Sequence, residues 1–183
     1  RHAQLAGVRE DRAGRALALA ALPELNGVVQ ALRLDRSERL WVGGQFTTQA
    51  QGAVRALLRL DADGGLDGGV DPQVLGGTGV HALAIDELDR ILLAGSFDRV
   101  AGVPMGGVAR LRADGGLDGG FEPDALDTRG ARALLVQADG GLLVGGDFVT
   151  VGGALQRGLG TFLFGDVAAH AAFVATLGPD AIW

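Results

Sequence analysis

The strongest constraint on this chain is internal: its sequence repeats every 51 residues without a gap. Residues 60–69 read LDADGGLDGG and residues 111–120 read LRADGGLDGG. Phe46, Phe97 and Phe148 keep the same spacing, each behind a small pair, Gly43-Gly44, Ala94-Gly95 and Gly145-Gly146. Ala31-Leu32, Ala82-Leu83 and Ala133-Leu134 hold the register as well. Laying 28–78 over 79–129 gives 20 identities in 51 positions, against roughly six expected by chance from so biased a composition. A recurring unit of this size cannot bury its apolar faces alone, so neighbouring copies must cover one another.

Within the unit the hydrophobic period is two. Val80, Ala82 and Ala84 alternate with His81, Leu83 and Ile85, as Val29, Ala31 and Arg33 do with Gln30, Leu32 and Leu34, which reads as a strand with smaller residues on one side. A second strand, 40–44 and its equivalents 91–95 and 142–146, is apolar on both faces, so both must be covered. The connections 35–38, 86–89 and 137–140 are short and polar, as hairpin turns should be. A third strand, 56–60 or 108–111, leads into an Asp-Gly pair suited to the positive φ of a tight turn. A weaker fourth follows at 66–70 and 117–121, closed by Pro72 or Pro123.

Four short strands in one repeat, with no long run at helical spacing, match one blade of a β-propeller. The expectation is an all-β, propeller-like array of about three four-stranded blades, an incomplete propeller. Residues 1–27 would be the degenerate tail of a preceding repeat, 28–78 and 79–129 the first two blades, and 130–166 a partial third. Residues 167–183 would form a short helix or begin another region. A β-sandwich is the alternative, but its strands need not recur at an ungapped interval. Ring closure takes about four blades or more, so three leave edges and an apolar face through which self-association is expected.

The unit runs G-V-x-A-L, polar turn, L-L-V-G-G-x-F, G-x-P, then L-x-A-D-G-x-L-D-x-x-F. In this form it resembles the delta-60 repeat, a bacterial β-propeller family, over about 28–164. The matching residues are Leu83, Leu93-Ala94-Gly95-Ser96-Phe97, Gly102-Val103-Pro104, Leu111, Asp114-Gly115-Gly116-Leu117-Asp118 and Phe121. The first copy departs at Trp41 and Val70, and the third lacks the D-G-x-L-D turn. The resemblance implies a secreted or surface protein of many blades, used as a scaffold, and brings no catalytic residue. Kelch repeats share the Gly-Gly pair but expect a Tyr, and this chain has none.

Composition narrows the function. All 16 bases are Arg, and they face 22 acids for a net charge of -6, so no basic footprint exists for a nucleic acid. With no cysteine, disulfides, thiolate metal sites and a Cys nucleophile are excluded. No apolar run is long enough for a membrane span. A Walker loop needs a Lys, which the chain lacks.

Asp61, Asp63 and Asp67 form D-x-D-G-x-x-D, in which alternating carboxylates around a glycine could gather oxygens onto calcium. The twelfth position from Asp61 is Pro72 rather than Glu, and Arg112 replaces the first acid in the second copy, which favours turn chemistry between strands. His2, His81 and His170 are not repeat-equivalent, and His81 aligns with Gln30 and Arg132 at a polar strand position. Ser96 lacks the G-x-S-x-G elbow and aligns with Gln45 and Asp147, a variable position where blades could differ in binding. Arg59 and Arg110 are equivalent, suited to pairing with acids such as Asp61 or to stacking across blades.

The reading is a non-enzymatic scaffold displaying a surface for protein or glycan partners, with no catalytic residue, metal or cofactor. One alternative is an adhesion module stabilised by calcium at Asp61, Asp63 and Asp67. Another is a propeller lyase or glycosidase, for which Asp35, Asp86 and Asp147 would have to converge on one ligand.

Overall fold

A computed structural model of the 183-residue chain describes residues 8–10, 16–18, 25–48, 54–121, 126–137, 140–151, 154–155 and 159–162. The strands are β1 (Val8–Glu10), β2 (Ala16–Ala18), β3 (Leu25–Leu34), β4 (Leu40–Thr48), β5 (Val54–Leu60), β6 (Val80–Ile85) and β7 (Ile91–Gly95). They continue as β8 (Arg99–Val100), β9 (Val103–Pro104), β10 (Val108–Leu111), β11 (Leu126–Val136), β12 (Leu142–Val151), β13 (Ala154–Leu155) and β14 (Leu159–Phe162). No helix occurs among the described residues. The segment 167–183, for which a helix or a further region is expected, lies outside them.

Each repeat is an antiparallel meander. β3-β4-β5 form one sheet, β6-β7-β10 the second, and β11-β12 the third, whose outer strand comes in two pieces, β13 and β14, both paired to β12. The hairpins between the first two strands of each unit share one geometry. Asp35, Asp86 and Gln137 each bond back to the residue four places on, and Glu38, Asp89 and Gly140 take φ of 61°, 60° and 84°. The Asp-Gly turns follow suit, with Gly64 and Gly115 at φ of 88° and 89°.

The fourth strand expected at 66–70 and 117–121 is a correction to the sequence expectation. Only the single bridges Leu60↔Leu66 and Leu111↔Leu117 remain of it. Asp67 N–H bonds the carbonyl of Arg59, its own carbonyl takes the N–H of Val70, and its side chain takes that of Gly69. Asp118 repeats this with Arg110, Phe121 and Gly120. The chain therefore folds into a second tight turn where an extended strand would otherwise continue.

Alternation along the second strands places side chains on two faces. Trp41 faces the second blade, in a cluster with Leu57, Leu83, Ile91 and Leu93, while Val42 points the other way, beside Leu25, Phe46, Leu58 and Leu60. One repeat later the pattern has moved on by one blade: Leu92, the equivalent of Trp41, packs in a second cluster with Ala94, Val108, Ala131, Leu142 and Val144. The sheets thus stack face to face, and the first strands of successive units, β3, β6 and β11, are neighbours. This is the all-β, propeller-like arrangement expected from the repeat.

The blades approach one another closely at the small pair. A Cβ on Gly43 would stand 2.8 Å from Cγ1 of Val80 and 3.3 Å from Cδ1 of Leu83. One repeat later the positions of Gly43 and Val80 hold Ala94 and Ala131, both fully buried, so the glycine-valine pair is exchanged for two alanines of similar summed volume. Gly43→Ala alone is expected to cost about 1–3 kcal/mol by overpacking, and Val80→Ala a similar amount through the cavity it leaves. Combined, they rebuild the Ala94–Ala131 pair and should cost less than the sum by at least about 0.5 kcal/mol. Urea denaturation of the four proteins measures this coupling, and strict additivity would contradict the contact.

Candidate functional site

The first strand of every unit carries a β-bulge at the same place. Pairing of β3 with β4 slips between Val29 and Ala31, that of β6 with β7 between Val80 and Ala82, and that of β11 with β12 between Ala131 and Ala133. The residues in the slips are Gln30, His81 and Arg132. A bulge leaves its extra residue unpaired and re-aims its side chain. Gly44, Gly95 and Gly146 make room for the irregularity, because a Cβ on any of them would collide with the backbone carbonyl of Val28, Gly79 or Gly130.

All three bulge residues line one open groove of about 510 Å³ across the first strands. Val29, Ala31, Leu32, Leu83 and Leu134 supply apolar wall, and Arg33 adds a further polar group. Each bulge side chain meets the groove differently. Arg132 Nε and Nη2 both donate to Asp147 Oδ2, at 2.8 and 2.6 Å, in an exposed pair. His81 Nδ1 lies 3.1 Å from the carbonyl oxygen of Ala131, which can only accept, so Nδ1 carries the proton and Nε2 accepts from the Thr78 hydroxyl at 3.0 Å. Ser96 Oγ takes the N–H of Thr78 at 2.9 Å and gives its own proton to Thr78 Oγ1 at 2.6 Å. Ser96 thus supports the groove through His81, and Asp147 through Arg132.

The acidic residues singled out from the sequence serve the turns. Asp61 Oδ1 accepts the N–H of Asp63 and of Gly65 at 3.0 and 2.9 Å. Asp67 is held by Arg59, whose Nη2 lies 2.7 Å from Oδ2. Asp63 contributes its N–H, and among the described residues no three acids or histidines are grouped to hold a metal. Asp61→Ala is expected to destabilise by about 1 kcal/mol, equally in calcium and in chelator. A melting temperature that rises with calcium in the parent protein and not in the variant would support the calcium reading instead.

Arg59 and Arg110 pair with Asp67 and Asp118, not with Asp61, because the Leu60↔Leu66 and Leu111↔Leu117 bridges bring those acids opposite the arginines. Stacking and the reach between blades both occur. The Arg59 guanidinium sits 5.1 Å from the Trp41 ring centroid and donates to the carbonyl of Ala113 in the next unit at 2.8 Å. Arg110 lies 4.9 Å from the Phe121 ring, so each arginine finds an aromatic face at a different repeat position.

These pairs carry a pH signature. The hydrogen bond from Arg59 holds the Asp67 carboxyl below its ordinary value of 3.8 against the cost of burial. At Asp118 burial pushes upward, but the N–H of Gly120 and the Arg110 guanidinium together outweigh it and the carboxyl is again lowered. A carboxyl depressed in the folded state contributes stability that is complete above its unfolded value and is lost as pH falls through the folded one. Stability in urea should therefore drop below about pH 4, and Asp67→Asn with Asp118→Asn should flatten that drop. An unchanged acid limb in the double variant would contradict it.

Asp35, Asp86 and Asp147 do not share a partner. Asp35 Oδ2 takes Arg39 Nε at 2.7 Å and Trp41 Nε1 at 3.3 Å, Asp86 Oδ2 takes Arg90 Nε at 2.6 Å, and Asp147 holds Arg132. Each carboxylate is engaged by its own arginine. Ser37 lies in the Asp35 turn, giving its N–H to Asp35 Oδ1. His2 and His170 lie outside the described residues.

The sequence shows 30, 81 and 132 as one polar strand position but not the bulge. The signal was the second glycine of each small pair, required where the partner backbone comes too near for any Cβ.

The family model described as a domain of unknown function (DUF5122) beta-propeller matches residues 39–69 and 89–121. The two stretches run from the first hairpin, through the second and third strands, to the Asp-Gly turn, and include neither Gln30 nor His81. Comparison with curated proteins gives no match.

Proposed function

We propose that the chain is a non-enzymatic repeat scaffold of a secreted or surface β-propeller, and that the bulge groove is the surface it presents to a protein or glycan partner. One observation carries the reading. The supporting frame is held constant from unit to unit, through the Ala-Leu pair, the hairpin aspartate with its arginine in the first two units, and the stacked faces. The side chains aimed into the groove change from Gln30 to His81 to Arg132, and the residues beside them from Gln45 to Ser96 to Asp147. A frame kept rigid under a changing set of donors and acceptors suits recognition, because the cost of ordering the contact residues is met by the fold before any ligand arrives.

The family match, to a propeller domain of unknown function, is consistent with a scaffold and favours no reaction. The groove opens to solvent, its described lining holds no carboxylate, and Asp147 beside it is engaged by Arg132, which gives a general acid or base no support there. The test is binding of the full chain to arrays of glycans and peptides, repeated with a Gln30→Ala, His81→Ala, Arg132→Ala variant. Ligands bound by the parent chain should be weakened roughly tenfold or more in the variant, with no fall in melting temperature. Ligands retained at full strength would place the binding surface elsewhere, and hydrolase or lyase activity mapped to 28–164 would overturn the scaffold reading.

A further inference from the structure

The bulge groove reverses the sign of the chain around it. The sequence carries a net charge of -6, yet the described lining holds two arginines, Arg33 of the first blade and Arg132 of the third, and no acid. Both arginines are exposed, and each is only partly engaged. Arg132 gives Nε and Nη2 to the single oxygen Oδ2 of Asp147, so the aspartate grips one edge of the guanidinium and fixes its plane. The other edge, Nη1 with the second proton of Nη2, takes no bond among the described residues. Arg33 gives Nη1 to the carbonyl of Leu32 at 2.8 Å, which leaves its edge of Nε and Nη2 without a bond among the described residues. Such an edge is a pair of parallel N–H donors spaced to meet the two oxygens of one carboxylate.

We infer that the groove takes an acidic peptide segment, two of whose carboxylates meet Arg33 and Arg132 while its aliphatic side chains lie on the wall between them. This rests on the groove being the surface the chain presents, and it names what that surface selects. The lining itself chooses the peptide. β6 neighbours both β3 and β11, and its His81 has both ring nitrogens bonded already. The stretch between the two arginines therefore offers aliphatic surface rather than charge, from Leu32, which is 40% exposed, with Ala82 and Leu134. A phosphate group is met by clustered arginines, and these two stand on separate blades. The C–H face of a sugar ring packs on a flat aromatic face, and no Trp or Phe lines the groove among the described residues. A segment that alternates carboxylate with aliphatic side chains matches both the donors and the wall.

The test is capture by the full chain from an array of short random-sequence peptides without phosphate, set beside oligomers of galacturonate and of glucose. The peptides held should be rich in Asp and Glu together with Leu, Ile and Val, and poor in Lys and Arg. Arg33→Gln and Arg132→Gln should each weaken the acidic peptides about tenfold, and melting curves should be unchanged because both side chains are exposed. Replacing the peptide's Glu by Gln should weaken binding to the parent chain to a similar degree, and the two losses should not add when the right pair is removed from both sides. Peptides whose capture falls in the Gln30→Ala, His81→Ala, Arg132→Ala variant but which show no preference for acids would overturn this inference and leave the groove as the binding surface. An acid preference that neither arginine variant alters also overturns it, and capture untouched by the triple variant removes the groove reading with it. Galacturonate held more tightly than any peptide, or no peptide held at all, overturns the assignment of an acidic peptide.

Discussion

The arrangement depends on how nearly two sheets approach at Gly43. With no side chain there, β6 sets Val80 and Leu83 directly against the backbone of β4, and each blade becomes the cover for the next. Because a sheet apolar on both faces cannot stand in water alone, the repeat makes sense only as a stack. Every later feature inherits this. The first strands lie side by side because the sheets behind them stack, and the bulges share a groove because those strands are neighbours.

Stacked apolar faces can slide, and the polar frame restricts that. Arg59 and Arg110 are nearly buried, which is costly for a charge unless it is paired. Each has an aspartate and an aromatic ring, and Arg59 also reaches the Ala113 carbonyl of the next unit. Such groups contribute less to net stability than to a fixed register, and here Arg59 ties the first blade's third strand to the second blade's turn. Arg36 N–H donating to Asp89 at 3.1 Å makes a second tie between neighbouring units. A register held from below leaves the bulge side chains free to differ.

Much of this was legible in the sequence. The 51-residue period and the two-sided apolar second strand point to stacked sheets, and residues 108–111 form the strand expected there. The alternation of the first strand holds only beyond the bulge, since Val80 packs with Leu83 and Ile85 while Ala82 and Ala84 face the third blade. The fourth strand was misread because Leu66 and Val70 look like strand residues, while their backbone follows the Asp67 turn. Pairing of Arg59 with Asp67 rather than Asp61 was hidden for the same reason, since the nearer acid in sequence already takes two N–H groups of its own turn. The bulges escaped because an inserted residue leaves the count between repeats unchanged when all copies carry it. Only the glycine opposite betrays it, and glycine has other uses.

The account stands on a stack of equivalent blades turning about a common line, and the absence of cysteine makes it open to site-specific labelling. Nitroxides placed in pairs at 30 and 81, 81 and 132, and 30 and 132 would report spacing through dipolar broadening of their spectra. The account predicts equal separations for the first two pairs and a third shorter than their sum, as for successive steps around an axis. Unequal first and second separations, as strands distributed between the two sheets of a sandwich would give, would contradict it.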